Sequence, residues 1–126
     1  MDKSGKYWGS TRTVFQKNGV EVHHLEVVPQ GYCSEHLHSH KFNRFIVLSG
    51  RLVVFTWASG EDLPPDEVIL QPFDELTVPP GLIHKFVTRD LACTLLEIYW
   101  TEMDPGDIVR RSIGGGAYTQ ERKKRR

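Results

Sequence analysis

The sequence has few cysteines, no long apolar run and no excess of charge of either sign. Its 126 residues include two cysteines, Cys33 and Cys93, which form no CxxC pair and are too few for a disulfide framework. No apolar stretch approaches the roughly 20 residues of a membrane span, and residues 1–10 lack the apolar region of a signal peptide. Lys and Arg together number 16, as do Asp and Glu. We therefore expect a cytoplasmic protein with no membrane or nucleic-acid partner.

The length fits one domain with a hydrophobic core that needs no disulfide. We expect this domain to span residues 1–113. Residues 114–126 begin with three glycines and end in a basic run, Arg122–Arg126. Such a composition predicts a flexible, solvated tail.

Short apolar runs bounded by turn residues recur along the chain, and no segment of ten residues has a helical period. The runs cover residues 22–28, 43–48, 51–57, 67–70, 75–78, 83–88 and 93–101. Between two of them, Ser49-Gly50 predicts a tight hairpin turn. Pro79-Pro80-Gly81 predicts a second turn, because two prolines remove two backbone donors. Many short, β-branched and aromatic-rich runs indicate an all-β sandwich or barrel.

Residues 36–43 (HLHSHKFN) contain three histidines at two-residue spacing. In a regular strand, His36, His38 and His40 would face the same way. Imidazole nitrogens bind Zn, Fe, Ni, Mn and Cu, but one strand alone cannot complete a coordination sphere. His84, just after the proline turn, is the best distant candidate, whereas at most one of the adjacent His23 and His24 can point inward. The pattern predicts a metal site, with a metal-free polar pocket as the alternative.

Two stretches resemble the two motifs of the cupin superfamily. Residues 31–50 are similar to the first motif, G-x5-H-x-H-x3-4-E-x6-G, with Asn43 at the position of its Glu. Residues 79–84 (PPGLIH) match the end of the second motif, P-x-G-x2-H. The resemblance implies a single-domain double-stranded β-helix, or jelly-roll barrel, with a metal inside its mouth.

The same resemblance implies a set of ligands for one divalent transition metal, either Zn, Mn, Fe or Ni. By the spacing of the motifs, the ligands are His36, His38 and His84. Asn43 stands in the fourth position and can coordinate only through its carbonyl oxygen, which binds a dication more weakly than a carboxylate does. His40 is the alternative fourth ligand.

A narrower resemblance is to the C-terminal cupin domain of type II phosphomannose isomerases. Residues 36–50 are similar to Q-x-H-x-H-R-x-E-H-W-I-V-V-S-G, and the likeness includes Trp8-Gly9, Leu96-Glu97-Ile98 and the GDIVR of residues 106–110. It implies aldose–ketose isomerisation of a sugar or sugar phosphate through a metal-stabilised enediolate, and a homodimer. His40 and Glu97 are then the candidates for the acid–base residues. The candidate cations for substrate binding are Lys41, Arg44, Lys85 and Arg110.

Two alternatives stay open because the chain departs from that family at Asn43 and in residues 112–116 (SIGGG). The first is an iron-dependent cupin dioxygenase with a three-histidine site, in which the metal keeps positions free for substrate and O2. The second is a non-catalytic sugar- or metal-binding module.

Overall fold

A computed structural model describes residues 3–118 of the chain. This part of the chain contains nine strands, and none of its residues forms a helix that could span a membrane. The strands are β1 (Lys3–Lys6), β2 (Gly9–Lys17), β3 (Val20–Val27), β4 (Phe42–Ser49), β5 (Leu52–Thr56), β6 (Asp66–Leu70), β7 (Glu75–Val78), β8 (His84–Val87) and β9 (Cys93–Trp100). They form a six-stranded sheet in the order β1-β2-β3-β9-β4-β7 and a three-stranded sheet in the order β6-β5-β8. All pairs are antiparallel.

The two sheets enclose one hydrophobic core. In β4 the side chains alternate, so that Asn43, Phe45 and Val47 are buried while their neighbours are partly exposed. This two-residue period is what a strand with one core face requires. Residues of both sheets contribute to the buried cluster: Leu25, Val27, Cys33, Phe45, Val47, Leu52, Val54, Leu70, Val78, Phe86, Cys93 and Leu95.

The predicted strand runs correspond to β3 through β9, with ends that differ by up to two residues. The sequence pattern did not reveal β1 and β2. These two strands form an edge of the six-stranded sheet, and much of β2 is exposed. Their residues (KSGK and GSTRTVFQK) therefore lack the apolar alternation that marks a half-buried strand.

The prediction of a hairpin at Ser49-Gly50 is wrong, because β4 and β5 belong to different sheets. The chain instead passes here from the six-stranded sheet to the three-stranded one. Gly50 has a φ of 79°, and a Cβ at this position would overlap the carbonyl oxygen of Ala92. The turn residue was read correctly, but a turn alone does not determine whether the strands beside it pair.

Residues 101–118 follow β9 and contain no strand. Their side chains are exposed throughout. The domain boundary at residue 113 stays a prediction, and the basic run Arg122–Arg126 lies outside the described residues.

Candidate metal centre

Backbone hydrogen bonds bring the two histidine-bearing segments together. His36 donates its N–H to the carbonyl of His84 at 3.1 Å, and His84 donates back to His36 at 2.9 Å. The Gly81 N–H donates to the carbonyl of His38 at 2.8 Å. Because Gly81 has a φ of 84°, the proline turn adopts the bend that places its amide there. Residues 36–38 thus lie beside the start of β8.

Three imidazole rings converge at this junction. The nitrogens of His36, His38 and His84 that can serve as ligands all lie within 4.8 Å of one another. The ring centroids are 4.5 Å apart for His36 and His84, 5.0 Å for His36 and His38, and 5.5 Å for His38 and His84. These distances leave room for one ion between the three rings.

Two of the rings are held in one tautomer by backbone carbonyls. His36 donates from Nδ1 to the carbonyl of Ser34 at 2.8 Å, and His84 donates from Nδ1 to the carbonyl of Leu82 at 2.9 Å. A carbonyl oxygen only accepts, so each Nδ1 carries a proton, and in the neutral ring Nε2 is then the nitrogen with the lone pair. Histidine ligands of metals are oriented in this way by a hydrogen bond from the other ring nitrogen.

Buried atoms without partners test whether these residues fit a metal. Nε2 of His38 and Nε2 of His84 are both buried and have no hydrogen-bond partner among the described residues. Buried polar atoms are otherwise almost always satisfied. Two buried ring nitrogens without partners, within 4.8 Å of each other, therefore fit a bound cation.

The protonation state of the cluster also fits a metal. Burial lowers the pKa of His38 to about 4, and the neighbouring charges of His36, Lys41 and His84 act in the same direction. Burial likewise lowers the pKa of His84. Both rings are neutral near pH 7, which is the form that coordinates metals.

A hydrogen-bonded carboxyl group lies beside the three histidines. Asn43, fully buried on β4, donates from Nδ2 to Oε2 of Glu97 on β9 at 3.1 Å. The side chain of Tyr99 also hydrogen-bonds to Glu97. Burial raises the pKa of Glu97, and both hydrogen bonds partly oppose this rise. The carboxyl is therefore biased toward its protonated form, able to give or take a proton.

This network explains why an amide occupies position 43. The amide donates to Glu97, whereas a carboxylate at position 43 would have no N–H to donate and would add a second acidic group to a buried site. The Asn43 Oδ1 atom is buried and has no hydrogen-bond partner among the described residues. The amide therefore orients Glu97 through one end, and the role of Asn43 as a fourth metal ligand stays a prediction.

His23 is a site residue that the sequence did not single out. It lies opposite Glu97 in the pairing of β3 with β9, and its ring centroid is 5.6 Å from that of Tyr99. Its ring nitrogens contact Thr13 Oγ1 at 3.2 Å and Glu21 Oε1 at 3.0 Å. The parity of β3 is the clue, because position 23 shares its face with the buried residues 25 and 27.

The expectation that His40 shares a face with His36 and His38 is wrong. Residues 36–40 form no regular strand, and His40 is exposed on a bend. The two-residue period applies only to extended strands. The structure therefore does not bring His40 into the three-histidine cluster, and its acid–base role stays a prediction.

The four predicted substrate-binding cations are scattered. The Lys41 Nζ atom lies 4.1 Å from the centroid of the Tyr99 ring, next to the site. Arg44 is on the opposite face of β4, where it donates to Thr77 at 2.8 Å. Lys85 follows the inward-facing residue 84 and lies 4.0 Å from a carboxylate oxygen of Glu35. Arg110 is exposed in the segment after β9.

A cavity of about 300 Å³ opens next to the histidines. It is lined by Lys6, Trp8, Thr11, His23, Cys33, Ser34, His36, Phe86, Glu97 and Tyr99. The thiol of Cys33 accepts a hydrogen bond from the Phe86 N–H at 3.2 Å, and burial raises its pKa to about 11. The thiol is thus protonated at neutral pH and is a poor nucleophile there.

Comparisons with known proteins define the class of fold. The sequence matches no protein-family model and no curated protein. In structure it is similar to KdgF from Halomonas sp. (12% identity, TM-score 0.69, covering 82% of this chain and 90% of that one). It is also similar to a Cupin 2 conserved barrel domain protein from Salinispora arenicola (17% identity, TM-score 0.63, covering 79% of this chain and 81% of that one). A third similar structure is the capsular polysaccharide assembling protein CapF from Staphylococcus aureus (16% identity, TM-score 0.70, covering 83% of this chain and 32% of that one).

These similarities show a cupin barrel, so the predicted all-β jelly-roll fold is confirmed. At such low identities they concern the fold alone. The resemblance to phosphomannose isomerases, with the activity and the homodimer that it implies, stays a prediction.

Proposed function

We propose that this protein binds one divalent transition metal through His36, His38 and His84 and isomerises a small sugar or sugar phosphate. The observation that carries the proposal is that three imidazoles, two of them with buried nitrogens that lack a partner among the described residues, meet near the hydrogen-bonded carboxyl of Glu97. A metal held there would supply Lewis-acid polarisation of a substrate carbonyl.

The protein's own residues would perform the proton transfer. Glu97 is the proposed acid–base group, because its carboxyl lines the cavity and burial raises its pKa above the ordinary value, which strengthens it as a base. Asn43 and Tyr99 would orient it through their hydrogen bonds. The cavity of about 300 Å³ fits one small molecule.

The charge of the site supports an anionic or strongly polar substrate. Neutral imidazole ligands leave the charge of a dication uncompensated, and Lys41 adds a cation next to Tyr99. Both features favour a phosphate, carboxylate or hydroxyl-rich substrate. The name of the structurally similar CapF, a capsular polysaccharide assembling protein, agrees with carbohydrate chemistry on this fold.

One observation favours a second candidate. Among the described residues, the group that could hold a metal contains three histidines and no carboxylate, and the Glu97 carboxyl hydrogen-bonds to Asn43 and Tyr99. A three-nitrogen set with open positions suits an iron-dependent dioxygenase. Metal identity separates the two candidates, since O2 consumption requires a redox-active ion.

The first test is metal analysis by mass spectrometry on protein purified without a histidine tag. We expect one ion per chain in the native protein, loss of that ion in His38→Ala, and full retention in His40→Ala, the matched control on the exposed bend. If the native chain binds no metal after reconstitution with Zn, Mn, Fe or Ni, the proposal is wrong.

A second test addresses the reaction. The metal-loaded protein is incubated in D2O with aldose and ketose phosphates, beginning with mannose 6-phosphate, and NMR follows deuterium entry at C2. Glu97→Gln should retain the metal and lose the exchange, because the amide cannot carry a proton between carbons. Oxygen uptake by the iron-loaded protein, without deuterium exchange, would instead identify the dioxygenase.

A further inference from the structure

We propose that the cavity next to the histidines, here the inner cavity, is one end of a longer carbohydrate-binding cleft, so that the sugar acted on is the reducing-end unit of an oligosaccharide, the unit that carries the carbonyl. The sugar assignment rests on the proposed function. A second space of about 1000 Å³, here the outer cleft, adjoins the inner cavity. Lys6, Trp8, Cys33 and Ser34 line both spaces, so the two spaces adjoin along a shared wall.

The first wall of the cleft is the turn between β1 and β2. Tyr7-Trp8 is the two-residue connection between these strands, which pair through Lys6 and Gly9. Neither residue has a positive φ, so the turn accepts aromatic side chains without backbone strain. Trp8 packs against the core, whereas Tyr7 is fully exposed and gains no packing. Exposed aromatic side chains grouped on one cleft, here Tyr7 and Tyr32, mark a binding surface.

Trp8 is fixed in place, whereas the Tyr7 ring is free in solvent. The ring of Trp8 contacts Phe86 edge to face, with centroids 5.2 Å apart. Its carbonyl accepts a hydrogen bond from the Val28 N–H at 3.0 Å. The junction between the inner cavity and the outer cleft is therefore rigid and carries an aromatic ring.

A second part of the lining is formed by Gln30, Gly31 and Tyr32. Gln30 has a φ of 62°, and its N–H donates to the Arg89 carbonyl at 2.9 Å. The Gly31 N–H donates to Thr88 Oγ1 at 2.9 Å, and a Cβ on Gly31 would crowd the backbone around it. Hydrogen bonds thus fix the backbone of this segment, whereas Tyr32 itself is 65% exposed.

The residues that line the outer cleft favour a carbohydrate over a nucleic acid as the ligand. Aromatic rings offer apolar faces for the C–H surfaces of sugars, and Lys6, Gln30 and Ser34 offer hydrogen-bonding groups for hydroxyls. Lys6 is the one charged residue among the described residues that line the cleft. Nearby Lys85 lies 5.7 Å from the Tyr32 ring centroid and 4.0 Å from a carboxylate oxygen of Glu35, so its charge is partly balanced. A cleft for a nucleic-acid strand needs a run of cations.

The test is binding of the full, metal-loaded chain to an oligosaccharide array, followed by calorimetric titration with the best ligand. We expect ligands of two or more sugar units. The Tyr7→Ala/Tyr32→Ala double variant should bind the best ligand about tenfold more weakly or worse, the loss expected from two stacking rings. Tyr118→Ala, which removes an exposed ring after β9, is the matched control and should bind like the native chain.

Three outcomes would overturn the inference: no oligosaccharide on the array is bound, the double variant binds as tightly as the native chain, or a single-stranded DNA oligonucleotide binds in preference to sugars. Metal analysis of the same preparations reports on the proposed function separately. Absence of metal with intact oligosaccharide binding would refute the metal site and leave the cleft standing. Presence of metal without oligosaccharide binding would refute the cleft and leave the metal site standing.

Discussion

Metal binding should stabilise this fold by an amount that depends on His38. The three ligands come from residues 36–38 and from residue 84, and they meet only when β8 lies beside the earlier segment. An unfolded chain does not keep them within 4.8 Å of one another. The metal therefore binds the folded state in preference, and mass action converts its affinity into stability.

The magnitude follows from that linkage. At a free metal concentration 100 times the Kd, binding adds about 2.7 kcal/mol to the free energy of unfolding. For a domain of 126 residues, this gain corresponds to a rise in Tm of roughly 10 °C. Each further tenfold increase in metal adds about 1.4 kcal/mol.

The assay is thermal unfolding followed by circular dichroism, on chelator-treated protein titrated with Zn, Mn or Ni. The native chain and His40→Ala should show the same rise in Tm, because His40 is exposed and outside the cluster. His38→Ala should show a much smaller rise at the same metal concentration. Equal shifts in His38→Ala and the native chain would refute the assignment of the ligands, and the absence of any shift would refute metal binding itself.

Three further predictions concern Glu97, the thiols and a turn. Burial raises the pKa of Glu97 above its ordinary value of 4.5. Its contribution to the free energy of unfolding is therefore complete below pH 4.5 and is lost as the pH rises through the raised pKa. In metal-free protein, Glu97→Gln should remove this loss of stability, which urea unfolding at acidic and alkaline pH would reveal. Burial raises the pKa of Cys33 and of Cys93 to about 11, so alkylation by iodoacetamide at pH 8 should be roughly a hundredfold slower than for a free thiol; rapid labelling of the native chain, measured by mass spectrometry, would contradict this. Gly50→Ala should lower the free energy of unfolding by about 2 kcal/mol or more, because Gly50 has a positive φ and the added Cβ would overlap a backbone carbonyl. Gly114→Ala, with open space around the added Cβ, should leave the free energy of unfolding unchanged in the same urea titration.

The strands with one buried face could be predicted from the sequence, and the others could not. β4 shows why, since its buried and partly exposed residues alternate in register with its apolar residues. β1 and β2 lie at a sheet edge with little buried surface, so no such alternation marks them. The hairpin error has a related cause, because Ser49-Gly50 predicts a turn equally well whether the flanking strands pair or separate into two sheets.

For the candidate site, the sequence by itself determined the cluster of His36, His38 and His84, because two stretches around a proline turn resemble the two cupin motifs, and that resemblance implies these three ligands. The tertiary structure decided the rest. It moved His40 onto an exposed bend, gave Asn43 the role of holding Glu97, and brought His23 and Tyr99 to the same wall. These relations depend on pairing between strands far apart in the chain, and such pairing leaves no mark in the local spacing that a sequence displays.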